Sequence, residues 1–361
     1  MASQSVQNIT ERARSILASS PESLDQAISK ALDEAFENGQ GLVQSAEQKL
    51  MGEVRSALSG FGPLAELIAD PEIEEIWINS PNQVFLARKS GTDKQGIALS
   101  ALEIRQAVER MLRDSGRRLD RSEPFVDATL QNGSRLHVVI PDVTAEHWAV
   151  NIRKFPTKVY SLDDLVKLDS LSQSMADYLA RKFKDGLNIL VSGATQAGKT
   201  TMLCALLDVG SKTERLVSVE ETFEIRTNYT DWVAMQARQA NLEGVGEITL
   251  RRLVKEALRM RPSRLVIGEV RQAEALDLLI ALNSGIAGLC TIHANSAFDA
   301  LEKLKLLPLL AGENIPALFV AQTVERNIGL VVHCEMSSGG KRRVAQVIES
   351  LSNNSWAEVL L

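Results

Sequence analysis

The chain is short of the residues that build metal and disulfide sites. It has three cysteines and four histidines in 361 residues, and neither set shows the close, regular spacing that zinc ligation needs. Cys204 and Cys290 lie in apolar runs, and with Cys334 they read as small buried hydrophobes in a reducing compartment. Long hydrophobic runs are missing too. The longest break well before the ~18 residues that cross a bilayer, and the segment MASQSVQNITERARS has no signal-peptide apolar core. A cytoplasmic protein is therefore expected. Nor is there an excess of positive charge: the formal net charge is −6, which argues against a general nucleic-acid surface. Hydrophobic content of 45% and charged content of 24% are those of globular domains, and the length exceeds one typical core, so two or three domains are expected.

What the chain does have is concentrated at Leu187–Thr201, LNILVSGATQAGKTT. An apolar run delivers Gly193, and the small-residue turn Ala194, Thr195, Gln196, Ala197, Gly198 leaves backbone N–H groups free to cradle phosphate oxygens. Lys199 is placed to reach the β- and γ-phosphates, and the Thr200 hydroxyl to ligate Mg²⁺. The helix that opens at Lys199, Thr200 and Thr201 aims its N-terminus at the same anion. Strand, loop and helix occur in the order this motif needs, so ATP with Mg²⁺ is the expected cofactor.

The rest of the chain is organised around that loop. Residues 1–59 carry apolar positions at helical spacing (Ile9, Ala13, Ile16, Leu17; Leu24, Ile28, Leu32; Leu42, Leu50, Val54, Leu58), broken at Ser19-Ser20-Pro21 and Asn38-Gly39, which predicts a small helical bundle. Residues 60–156 read as a separate α/β module of short strands with the helix ALEIRQAVERMLRDSG. There Arg135, after the turn Asn132-Gly133-Ser134, and Arg153, in a strand-like run, can project from one sheet toward an anion, although each alone also fits a solvated charge. Residues 157–170 are expected to form a linker, and residues 171–361 the phosphate-binding α/β domain.

Downstream, RLVSVEETFEI is a buried strand with Glu220, Glu221 and Glu224 at its end. In a parallel sheet that end faces the ligand crevice. LRRLVKEALRM is an amphipathic helix stopped by Pro262, followed by the buried strand RLVIGE, whose last position is Glu269. A carboxylate on a buried strand ~70 residues past the phosphate loop suits a nucleotide hydrolase, which has to orient or deprotonate an attacking water. Gly268 stands where an aspartate is usual, so Mg²⁺ has to rely on Thr200, water and the Glu220/Glu221 cluster. Finally, TIHANS places His293 at another strand end, equally compatible with packing and with function.

In these blocks the chain resembles the secretion and pilus-assembly ATPases of the type II/type IV secretion superfamily, with the motors of tight-adherence (Tad/Flp) pili as the branch it most looks like. The likeness runs from GFGPLAELIADPEIEEIWINS to about residue 350 and is carried by DATLQNGSR, NIRKF, GATQAGKTT, LVSVEETFEI, NLEGVGEITLRRLVKEALRMRPSRLVIGEVR and LNSGIAGLCTIHANS. It implies a RecA-like P-loop motor domain preceded by a smaller α/β (PAS-like) domain and the N-terminal helical bundle. It further implies Glu269 as the catalytic carboxylate, Glu220 in the acidic block beside the nucleotide and the cation, and His293 as a phosphate-side sensor. Arg135 and Arg153 become candidates to close over the γ-phosphate. Arg238, Arg251 and Arg271 match further basic positions.

The resemblance also implies a cytoplasmic homo-hexamer, peripheral at the inner membrane. It would be held there only by pilus platform proteins, and no nucleic acid is expected as a partner. A conjugation or effector-secretion motor of the same superfamily is the alternative. The sequence departs from the family pattern at the loop residues ATQA, at Glu221, at Ser263 and at Gly285-Ile286, where Gly-His is usual. The last departure favours a rival reading, a scaffold that binds ATP without turnover.

Overall fold

A computed structural model of the chain describes residues 8–13, 15–16, 24–37, 51, 54, 61–88, 91–113, 115, 117–154, 159–240, 244–337, 339–351 and 355–360. The expected breaks at Ser19-Ser20-Pro21 and Asn38-Gly39, and Leu17, Leu42, Leu50 and Leu58, lie outside these residues. The chain divides into two compact units, Met1–Phe155 and Pro156–Leu361.

In the first unit, residues 8–13 and 15–16 are helical, as is α1 (Leu24–Glu37). Ile9, Ala13 and Ile16 bury against Ala27, Ile28, Ala31, Leu32 and Val54, the contacts that the helical spacing predicts. After the short helix α2 (Ala65–Ala69) comes an antiparallel sheet. Its strands are β1 (Ile73–Ser80), β2 (Gln83–Arg88), β3 (Gly91–Gln95), β4 (Phe125–Thr129), β5 (Arg135–Val139) and β6 (Ala149–Arg153), in the order β3-β2-β1-β6-β5-β4.

Alternation along these strands sends Val126, Ala128, Leu136, Val138, Val150 and Ile152 to one face. There α3 (Ala101–Arg113) covers them with Ile104, Ala107, Val108, Met111 and Leu112. The opposite face carries Asp127, Arg135, His137, Asn151 and Arg153, with Trp77 stacked on Phe85 at 5.9 Å between ring centroids.

The second unit opens with α4 (Leu162–Lys167) and α5 (Gln173–Lys184). Residues 162–167 were expected within a linker. Instead, Ser161 and Asp164 form a reciprocal capping box and Leu162 and Leu165 are buried, so the segment is a helix of the core. The strands are β7 (Ile189–Gly193), β8 (Leu216–Glu220), β9 (Trp232–Gln236), β10 (Arg264–Ile267), β11 (Ala287–His293), β12 (Leu330–Met336), β13 (Arg342–Ser350) and β14 (Trp356–Glu358). Their order is β14-β13-β12-β7-β11-β10-β8-β9; β12 through β9 run parallel, and β13 and β14 add an antiparallel edge. Every residue of β7, β8 and β10 is buried, because both faces are covered.

On one face, Leu190, Val217, Val219, Leu265 and Ile267 join α7 (Leu250–Ala257), α8 (Glu274–Asn283), α9 (Ala297–Leu306) and α10 (Ala317–Asn327). On the other, Ile189, Val191, Leu216 and Val266 pack with α4, α5 and α6 (Lys199–Asp208), the helix that follows the phosphate loop. No helix among the described residues is long and apolar enough to cross a membrane.

Candidate nucleotide-binding site

The parallel register brings four sequence-distant elements to one edge. β11 pairs with β7 so that His293 lies beside Gly193, and β8 ends at Glu220. β10 ends at Ile267, so Glu269 lies two residues beyond the strand rather than at its last position. Crevices outside the carboxyl ends of parallel strands are where α/β sheets bind ligands.

The loop itself is shaped by contacts that leave no room for side chains. A Cβ on Gly193 would stand 2.3 Å from the Cys334 carbonyl oxygen. Gly198, at φ 95°, caps the helix Lys199–Asp208 in the left-handed region. Gln196 is also left-handed, at φ 63°, which costs a non-glycine residue about 1–2 kcal/mol. Its carbonyl accepts a hydrogen bond from Arg342 Nε at 2.9 Å, which holds the turn. Arg342 carried no signal in the sequence, because it comes from β13, almost 150 positions away. Behind the loop, buried Ser192 Oγ meets His333 Nδ1 at 2.9 Å, and burial pushes the His333 pKa down.

Lys199 is buried and donates to the Ala194 carbonyl at 2.9 Å and to His293 Nδ1 at 3.1 Å. Burial first, and then the Lys199 charge, lower the His293 pKa, so the ring is neutral and accepts at Nδ1. Its Nε2 lies 2.7 Å from Glu269 Oε1, off the line of a hydrogen bond, so that oxygen is buried with no hydrogen-bond partner among the described residues. Glu269 Oε2 accepts from Arg271 at 2.6 Å. Lys199, His293, Glu269 and Arg271 thus form one continuous run of contacts.

The acidic cluster divides its labour. Glu220 is buried and its Oε2 accepts the N–H groups of Glu224 and Ile225 at 2.7 and 2.8 Å, which folds the chain back after β8. Its Oε1 has no hydrogen-bond partner among the described residues, and burial raises its pKa to about 7 against the pull of those two N–H groups. The carboxylate that touches Thr200 belongs to Glu224, whose Oε2 accepts from Oγ1 at 3.2 Å. Gly268 is explained by the same neighbourhood: a Cβ there would stand 3.0 Å from Glu220 Cγ.

These features fit a nucleotide with its cation. The cradle tolerates only glycine where it closes, Lys199 is held by exchangeable acceptors, and Glu220 Oε1 and Glu269 Oε1 are buried with no hydrogen-bond partner among the described residues. A family model described as "Type II/IV secretion system protein" matches residues 57–354. The chain belongs to that family. A protein of Mycobacterium tuberculosis assigned to conjugal transfer is 33% identical over 302 residues, covering 81% of this chain and 85% of that one. The conjugal transfer protein TrbB of Rhizobium radiobacter is 28% identical over 304 residues, 81% of this chain and 89% of its own. Among solved structures, the Legionella pneumophila ATPase DotB superposes with a TM-score of 0.59 at 17% identity, covering 81% of each chain. At that identity the likeness speaks to fold, and it agrees with a RecA-like arrangement.

Within this secretion-family chain the sequence-derived residues fall in two places. Residues 193–201, Glu220, Glu269 and His293 meet at the sheet edge of the second unit. Arg135 and Arg153 sit directly opposite one another on β5 and β6 of the first unit, Arg135 with an ion pair to Asp127 at 3.3 Å. Ile286 falls far from the sheet-edge site of its own unit. It precedes β11 at the end opposite His293, roughly 20 Å away at the usual strand rise, and packs on the apolar core.

Proposed function

We propose that this chain binds ATP on residues 193–201 and hydrolyses it as the motor of a secretion-type assembly. The observation that carries the reading is the unbroken run Lys199–His293–Glu269–Arg271 at the carboxyl edge of the sheet. Bound nucleotide and Mg²⁺ would supply the phosphoanhydride and the Lewis-acidic charge, held by the loop N–H groups, Lys199, Thr200 and the carboxylates of Glu220 and Glu224. Lys199 exchanges two neutral acceptors, the Ala194 carbonyl and His293 Nδ1, for phosphate oxygens, a stronger charge-assisted bond. Glu269 has one oxygen fixed by Arg271 and the other beside His293 Nε2 without a hydrogen bond, and this second oxygen takes the proton of the attacking water. His293 keeps its neutral edge against that carboxylate and against Lys199, so it links the phosphate position to the base.

The wider reading rests on the motif resemblance: domains at 1–59, 60–156 and 171–361, a cytoplasmic homo-hexamer, and docking on inner-membrane platform proteins of a tight-adherence pilus. Arg135 and Arg153 enter as the charges that stabilise the transition state. A second reading, a conjugal transfer motor, is favoured by the names of the relatives at 28–33% identity. Deleting the gene separates the two: loss of pili with intact plasmid transfer favours the first, and the reverse the second.

Enzyme and non-hydrolysing scaffold are separated by Glu269→Gln. The variant is expected to keep ATP affinity within a few-fold while phosphate release falls by roughly 10²–10⁴. If wild type and variant both bind ATP and release phosphate at the same background rate, the motor reading fails.

A further inference from the structure

The first unit holds a second concentration of cationic groups that the motor reading does not use. An open cavity of about 480 Å³ lies between the end of α3, residues 117–121 and Trp148. That volume is within the range of small-ligand sites. Five arginines line it, Arg105, Arg113, Arg117, Arg118 and Arg121, against two acids, Glu109 and Asp120. On a chain of net charge −6 this is a strong local reversal of sign.

The acids do not use up the arginines. Arg105 pairs with Glu109 at 2.8 Å and Arg118 with Asp120 at 2.7 Å, while Arg121 reaches outside the cavity to grip Asp142 at 2.8 and 3.1 Å. Asp120 is already engaged, accepting from Ser122 and from the Glu123 N–H. Arg113 makes no ion pair among the described residues. The pairs that exist are solvent-exposed, with Arg118 and Arg121 at 68% and 85% exposure, so each contributes little and exchanges readily for a better acceptor. Guanidinium forks suit phosphate oxygens bidentately. Leu112, Leu119, Ile140 and Trp148 form an apolar wall on which the organic part of a ligand can rest.

We infer that this cavity is a binding site for a di- or polyphosphate group, distinct from the phosphate loop. The shared chemistry is a phosphate ester of several negative charges, and its source is either a free phosphorylated small molecule or a lipid headgroup. The inference does not depend on ATP hydrolysis.

The test uses the full chain carrying Lys199→Ala, which silences the phosphate loop. Pyrophosphate binding is measured by calorimetry, and retention on phosphatidylcholine vesicles with and without cardiolipin, whose headgroup carries two phosphates, by sedimentation. Arg113→Gln/Arg118→Gln/Arg121→Gln is expected to weaken the responding probe by at least roughly tenfold, as loss of several charge-assisted contacts requires. Lys184→Gln/Lys212→Gln, which removes exposed charge from the second unit, should leave it unchanged. Arg113→Gln alone breaks no ion pair among the described residues, so it keeps the fold intact and should weaken binding several-fold. Pyrophosphate binding lost in the arginine variants assigns a free phosphate. Retention on cardiolipin vesicles alone, lost in the same variants, assigns a headgroup. Binding of neither probe, or equal weakening by the lysine variant, overturns the inference.

Discussion

Glu220 offers a prediction whose size follows from the structure. The carboxyl is buried, with two N–H donors on one oxygen and none on the other among the described residues, and its pKa stands near 7 against an ordinary value of 4.5. A raised carboxylate pKa means that the folded state binds more protons than the unfolded state between those two values. Stability is therefore highest below pH 4.5, falls as pH rises from 4.5 to about 7, and is level above that. The gap corresponds to about 3 kcal/mol at pH 8 and under 1 kcal/mol at pH 5. Glu220→Gln keeps the acceptor for the Glu224 and Ile225 N–H groups and removes the charge.

The variant's stability relative to wild type should then improve by about 2–3 kcal/mol between pH 5 and pH 8. Any constant offset from the new, unpartnered amide donor cancels in that difference. Urea unfolding at the two pH values measures it, in a background with Trp77, Trp148 and Trp356 replaced by Phe so that the fluorescence reports Trp232, whose Nε1 donates to Ser218 on the strand that ends at Glu220. A difference that does not change with pH would refute the reasoning and show that Glu220 is ionised at no cost. Repeating the measurement with ATP and Mg²⁺ asks a second question. Shrinkage of the pH effect would mean that the cation stabilises the Glu220 carboxylate, and persistence would leave Glu224 as the acid beside Thr200.

Arg135→Ala and Arg153→Ala are each expected to lower ATP turnover by roughly 10²-fold while leaving Lys199-dependent nucleotide binding largely intact; equal loss of binding and turnover, read by phosphate release and a fluorescent nucleotide, would count against them. His293→Ala should slow turnover because it cuts the link between Lys199 and Glu269, whereas Ile286→His should change it little, since that position lies at the far end of β11; a large gain in rate from Ile286→His would identify a weakened motor. Arg342→Ala removes the donor that holds the left-handed Gln196, so ATP affinity should fall by roughly tenfold with a smaller change in kcat; an unchanged KM would show that the loop keeps its shape without it.

The sequence alone determined the phosphate loop, because strand, turn and helix are contiguous and each residue's part is local. It also determined most buried strands, whose two covered faces make them read as continuous apolar runs, and the covered face of the first unit's sheet, whose alternation is visible residue by residue. It did not reveal α4 inside the expected linker, although the Ser161–Asp164 box was there to be read, nor the exposed edge strand β3 and the partly buried edge strands β9 and β14, whose side chains carry little periodic contrast. Tertiary structure alone decided which acid does what. Glu220, Glu221 and Glu224 are neighbours in one polar stretch, and only the turn after β8 sends Glu220 inward to bind backbone N–H groups and Glu224 across to Thr200. It also decided the meeting of Lys199, His293 and Glu269, which depends on β11 and β10 lying in parallel register beside β7 and β8. The reach of Arg342 to Gln196 has the same origin: it joins positions 146 apart in the chain, and no local pattern encodes which distant backbone a long, flexible guanidinium will find.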